Sequence, residues 1–211
     1  LAHDYWTNSF STIEDLEHFT LLPVLGAIPL VRPRSGGRLS SMVSALRLGS
    51  GGQEASPSLL PARPGSTGRI ALGADVESAE AVRSLCASLL LSKSERPPHV
   101  VIVTSALPGE GKTTISIELG RALAESGART LLVEGDMRRP QLSHVFGVGM
   151  DGGLSLFLSG QSPKVTVHPT SVDGLSVVSA GPTAPNPVAL LSSEKLDVFL
   201  REMAAAFQFV I

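Results

Sequence analysis

Residues 100 to 114 read VVIVTSALPGEGKTT. The β-branched run Val100-Val101-Ile102-Val103-Thr104 predicts a strand, the Pro108-Gly109-Glu110-Gly111 segment a loop, and Lys112-Thr113-Thr114 the first turn of a helix. That helix continues through Ile115, Ile117, Leu119, Ala122 and Leu123 and stops near Ser126-Gly127, where glycine suits a left-handed cap. The order strand, glycine loop, helix is an α/β unit with a function written into the loop.

Backbone N–H groups of Gly109, Glu110, Gly111 and Lys112, following Pro108, can curl around a phosphate, because glycine tolerates the positive φ angles that such a nest requires. The helix behind them points its positive end at the same anion. In this frame Lys112 reaches the β- and γ-phosphates of a bound nucleotide, Thr113 supplies a hydroxyl to Mg2+, and Thr114 lies on the α-phosphate side. The strict pattern G-x-x-x-x-G-K-[ST] has glycine where Ala106 stands, so this is a variant of it.

Downstream, TLLV at 130 to 133 predicts a strand buried on both faces, parallel to its neighbours. Glu134, Asp136, Arg138 and Arg139 follow it directly. In open α/β sheets ligands bind beyond the carboxyl ends of the strands, which brings these residues beside the phosphate loop. For Asp136 a second reading is a carboxylate that caps its own turn; for Arg138 and Arg139 it is an ordinary surface pair. Further on, Gln141–Phe146 and Gly153–Leu158 predict short helical turns, Val165–Val167 and Leu175–Ser179 short strands, Pro187–Phe207 one amphipathic helix, and Phe209–Ile211 a last strand.

Upstream, Ser11-Thr12-Ile13-Glu14 has capping-box spacing ahead of a helix over about Thr12–Phe19, and Leu22–Pro29, LPVLGAIP, reads as a bounded strand. Ser, Gly and Pro dominate Pro33–Gly68, a linker pattern whose scattered arginines read as solubilising charge or as attraction to an anionic membrane. Asp75–Leu91 predicts a helix with Val76, Ala79, Val82, Leu85, Cys86, Leu89 and Leu90 on its apolar face. The chain thus divides into an N-terminal segment 1–32, a linker 33–72 and a nucleotide-binding domain 73–211.

With 211 residues, 43% of them apolar, the sequence can bury a core, and its net charge of −2 gives no argument for nucleic acid as a partner. The single cysteine, Cys86, reads as a small buried hydrophobe. The five histidines lack metal-ligand spacing. No apolar run has the length of a membrane-spanning helix. Leu1 in place of Met, and an end inside the apolar Phe209-Val210-Ile211, predict a fragment that is C-terminally incomplete, weak as an enzyme and left with an unpaired sheet edge.

Taken together these phrases resemble the bacterial tyrosine kinases of capsule and exopolysaccharide synthesis, the cytoplasmic kinase modules of polysaccharide co-polymerases. LPVLGAIP is similar to the segment after the second membrane helix of single-chain members. Ala79–Leu91 is similar to their EAxRxLRxNL helix, TSALPGEGKTT to their Walker A loop, LLVEGDMRRP to their Walker A′ strand, and FQFVI to the start of their Walker B strand. HVFGVGMDGGLSLFLSG and SAGPTAPNPVALLSS also fall where the family has similar phrases.

The resemblance implies a doubly wound, mostly parallel P-loop NTPase fold of the partitioning-ATPase branch, with ATP and Mg2+ as cofactors. It implies transfer of the γ-phosphoryl group to tyrosines beyond Ile211, at the cytoplasmic face of the inner membrane. Lys112, Asp136 and Arg138 are the implied catalytic residues; Thr113, Asp136 and Glu134 hold the metal. Implied partners are further copies of the chain in a ring through Glu80 and Arg83, the membrane-embedded co-polymerase region, and a cognate tyrosine phosphatase. Glu134 departs from the family pattern, which has Asp there, and Cys86 stands where a second interface arginine is common. Glu80 and Arg83 also fit an exposed i,i+3 pair. Three readings stand: a tyrosine autokinase, a partitioning-type ATPase acting as a nucleotide-switched dimer, and a non-catalytic nucleotide-binding assembly module.

Overall fold

The computed structural model describes residues 12–28, 76–91 and 98–211. The predicted linker, Pro29 and Ser11 lie outside the described residues.

Its centre is β1 (Thr130–Val133), in which Thr130, Leu131 and Leu132 have no solvent exposure, as expected for a strand covered on both faces. On one side it pairs in parallel with β3 (Leu175–Val178), on the other with β4 (Phe209–Val210). The two-residue β2 (His168–Pro169) closes the far edge antiparallel to β3, giving the order β2-β3-β1-β4. One face of β1 directs Leu131 into a core with Met137, Leu154, Val178, Phe199 and Val210. The other directs Leu132 against Ile117, Leu175 and Val177.

The second face is covered by α3 (Lys112–Glu125), which packs against α2 (Val76–Leu90). Leu119 and Leu123 of α3 meet Cys86 of α2 and Phe209 in a third cluster. Gly120 is where helix and sheet come closest: a Cβ there would lie 2.9 Å from a methyl carbon of Leu132. The helix ends as predicted, with Gly127 at φ 94° and the Ala128 amide donating to the Leu123 carbonyl. The short helices α4 (Leu142–Phe146) and α5 (Leu154–Leu158) fall where the periodicity placed them. α1 (Ile13–Thr20) stands apart near the N-terminus.

Several expectations are corrected. The strand Val100–Thr104 is reduced to a parallel bridge from Val100 to Val210, with the Val101 amide donating to the Val210 carbonyl. Among the described residues the pairing goes no further than Val101, and Ile102 is 83% exposed. Residues 22–28 form no strand; they run over α2, where Ser88 Oγ donates to the Leu25 carbonyl. The cap of α1 is Thr12, whose hydroxyl accepts the Asp15 amide, one residue later than the predicted box. Leu90 lies at the margin of α2 and is 41% exposed rather than packed. The strand expected at Val165–Val167 is displaced to β2. The single helix expected over Pro187–Phe207 is two, α6 (Pro187–Leu191) and α7 (Glu194–Ala206). The break falls at Ser192-Ser193, where the Ser193 hydroxyl takes the Leu190 carbonyl and competes with helix continuation. It lets Leu191 and Phe199 reach one core.

Candidate nucleotide site

The phosphate loop takes the geometry its glycines allow. Gly109 and Gly111 have φ of 85° and 92°, and Gly111 is the N-cap of α3 with no side chain capping the helix amides. Those N–H groups are left facing outward at the positive end of a 14-residue helix. A Cβ at either glycine would meet nothing within 4 Å, so what the positions require is backbone conformation and not space.

A cleft of about 390 Å³ opens beside the loop. It is lined by Lys112, Thr113 and Ser116 of α3 and by Glu134, Gly135 and Asp136, just past the carboxyl end of β1. The rest of its lining is mostly apolar, from the Val100–Val103 segment, the end of the chain at Val210 and Ile211, and leucines such as Leu154 and Leu191. The post-strand segment is fixed from below, because Met137 is only 1% exposed in the core and its amide donates to the Gly135 carbonyl. Residues 135 and 136 are thereby turned outward.

Of the residues predicted from sequence, Lys112, Thr113, Glu134 and Asp136 are brought together around this cleft. Pro108, Gly109 and Glu110 are exposed on the loop, and Gly111 and Thr114 are half-buried. Arg138 and Arg139 are exposed and donate backbone amides to Asp136 Oδ1 at 3.1 and 2.9 Å. The turn-capping reading of Asp136 therefore holds for one oxygen. Glu134, 5% exposed, accepts the amides of Gln141 and Leu142 on Oε1, the latter at 2.7 Å, and so caps α4. Its Oε2 is buried without a partner. A threonine hydroxyl, an exposed carboxylate and a buried carboxylate oxygen with no donor form an all-oxygen set that fits a hard divalent cation.

Glu80 and Arg83 face solvent on α2 at 4.0 Å, 77% and 64% exposed, in the i,i+3 arrangement. Cys86 is buried beside the Leu119 carbonyl, and burial pushes its thiol pKa up. Among the described residues no helix is long and apolar enough to cross a membrane. The sequence reading passed over Ser105 and Glu110 as side chains. Lys112 Nζ donates to Ser105 Oγ at 2.9 Å, and the Leu107 amide donates to Glu110 Oε2 at 2.9 Å. Both lie inside the opening stretch, but spacing alone carries no sign of such contacts.

This mostly parallel sheet, with its uncapped helix terminus and lysine, defines a P-loop nucleotide-binding domain. The family described as the CobQ/CobB/MinD/ParA nucleotide binding domain matches residues 101–167. The tyrosine-protein kinase CpsD of Streptococcus pneumoniae is 36% identical over 134 residues, covering 63% of this chain and 58% of CpsD. A solved BceF tyrosine kinase domain superposes with a TM-score of 0.67 at 30% identity, covering 93% of this chain and 73% of that one. The kinase domain of the Escherichia coli tyrosine kinase ETK gives 0.60 at 29%, covering 64% and 53%. The chain belongs to the bacterial tyrosine kinase family of P-loop proteins. It spans 58% of the length of CpsD.

Proposed function

We propose that this chain provides the ATP site of a protein-tyrosine autokinase that regulates exopolysaccharide or capsular polysaccharide assembly and export. The supporting observation is the shared cleft: Lys112 and Thr113, at an uncapped helix terminus, line it together with Glu134 and Asp136. Amides from Gly109 to Thr113 cradle the terminal phosphates and Lys112 neutralises the β- and γ-oxygens. Thr113, Asp136 and Glu134 Oε2 hold Mg2+, which when bound neutralises charge on the phosphates. A tyrosine oxygen forms the new bond to the γ-phosphorus as the bridge to the β-phosphate breaks, and ADP leaves. Asp136 takes the tyrosine proton; Arg138, from the same turn, swings toward the transferred group.

The acceptor tyrosine comes from the same chain or from a neighbouring copy, through a ring contact at Glu80 and Arg83. The membrane-embedded co-polymerase region and a cognate tyrosine phosphatase are its other partners, at the cytoplasmic face of the inner membrane. Residues 1–32 form the membrane-proximal segment, 33–72 the linker and 73–211 the nucleotide-binding domain. The match to the MinD/ParA group favours, as a second reading, a nucleotide-switched ATPase dimer. The use of Glu134 Oε1 as a helix cap favours a third, a non-catalytic assembly module.

Incubating the full-length protein with Mg·ATP and probing for phosphotyrosine separates them. Label on tyrosine supports the kinase; phosphate release without label, the ATPase; binding with neither, the module. Lys112→Met should abolish the label and keep the fold, and undiminished phosphotyrosine in that variant overturns the site.

A further inference from the structure

Between the end of the bridge at Val100 and the start of α3, the side chains of Lys112, Ser105 and Glu110 and the backbone of Leu107 are joined by three hydrogen bonds. Lys112 Nζ donates to Ser105 Oγ at 2.9 Å. Ser105 Oγ donates onward to the Leu107 carbonyl at 2.9 Å. The amide of Leu107 donates to Glu110 Oε2, again at 2.9 Å. A hydroxyl has one proton to give and lone pairs to accept with, and here both capacities are used in one direction. Lysine is a point charge on a long flexible stem, so its position before a ligand arrives depends on what holds the ammonium.

We propose that Ser105 is the positioning residue for Lys112. Its hydroxyl parks the ammonium at the loop wall and ties that position to the Leu107 carbonyl, while Glu110 holds the Leu107 amide in the preceding peptide unit. The half-buried setting of Ser105 and Lys112 strengthens the tether relative to one in open water. An incoming triphosphate then meets a cation already gathered at the loop, and the entropy of collecting that side chain is spent before binding rather than during it. Ser105 touches no phosphate itself; it acts through the lysine.

This inference rests on the nucleotide site proposed above, and the test keeps the two apart. ADP and ATP binding, with Mg2+, is measured by titration calorimetry on this chain and on Ser105→Ala, Ser105→Thr, Lys112→Met and the Ser105→Ala/Lys112→Met double variant. Without the hydroxyl the lysine side chain has to be ordered during binding, and Kd should rise about threefold to tenfold in Ser105→Ala. Ser105→Thr, which keeps the hydroxyl, should bind within about twofold of the parent. In the Lys112→Met background Ser105→Ala should add nothing, since there is no ammonium left to hold. Unchanged binding by Ser105→Ala, no rescue by threonine, or an equal further loss in the double variant overturns the proposal. Where Lys112→Met binds too weakly to measure, the threonine rescue decides alone. If Lys112→Met binds as well as the parent, the nucleotide site itself is wrong; if it is weakened and Ser105→Ala is not, only the role of Ser105 fails.

Discussion

Replacing Glu134 with alanine should destabilise the chain by removing the cap of α4. Glu134 Oε1 accepts two amides at the start of α4, and charge-assisted bonds of this kind contribute about 1.5–3 kcal/mol each. Removing the side chain leaves the Leu142 amide in a buried segment with no acceptor. Against this, the parent carries the cost of a buried, unpartnered Oε2, itself about 1–3 kcal/mol. The difference predicts a net loss of about 2–3 kcal/mol for Glu134→Ala. Glu134→Gln keeps an acceptor on the same atom without the charge and should lose about 1 kcal/mol. Glu134→Asp draws the carboxylate back by one methylene and should fall between the two. Urea denaturation followed by far-UV circular dichroism gives each value from the midpoint and slope. A Glu134→Ala midpoint within about 0.5 kcal/mol of the parent at unchanged slope refutes the cap.

Three further expectations follow from the packing. Gly120→Ala places a methyl 2.9 Å from Leu132 at the closest approach of helix and sheet, and should cost about 1–3 kcal/mol in the same assay. Cys86, its thiol pKa raised by burial, should resist alkylation by iodoacetamide at neutral pH until the chain is unfolded by urea. The sign for stability follows: the neutral thiol is favoured in the fold, so its contribution is complete below the ordinary thiol value of 9.0 and is lost as pH rises above it. Denaturation midpoints of the parent and Cys86→Ala should therefore converge in alkali, and curves that stay parallel argue against it. Arg83→Ala removes an exposed pair at 4.0 Å and should change stability by less than about 0.5 kcal/mol. If Arg83 lies in a subunit contact, the same variant should lower the assembled fraction in sedimentation, whereas an unchanged distribution confines it to the surface.

The family was legible in the chain because the phrases that mark it are short-range. Gly109, Gly111, Lys112 and Thr113 are neighbours in sequence, and their backbone demands and charge are set within one turn of helix. The burial of Thr130–Val133 was equally readable, since a strand covered on both faces needs an unbroken apolar run. What only the tertiary structure decided is which of these local preferences found partners. Val100–Thr104 has every side chain a strand asks for, yet among the described residues it pairs only through Val100 and Val101 with Val210, because a ladder needs a neighbouring backbone as well as suitable side chains. Leu22–Ile28 likewise has apolar residues but, among the described residues, no adjacent strand. The division of labour within Glu134, one oxygen on α4 and the other left in the cleft wall, depends on residues seven and eight positions along the chain folding back over it. Composition and spacing specify what each segment can do; long-range contact geometry selects which of those capacities is used.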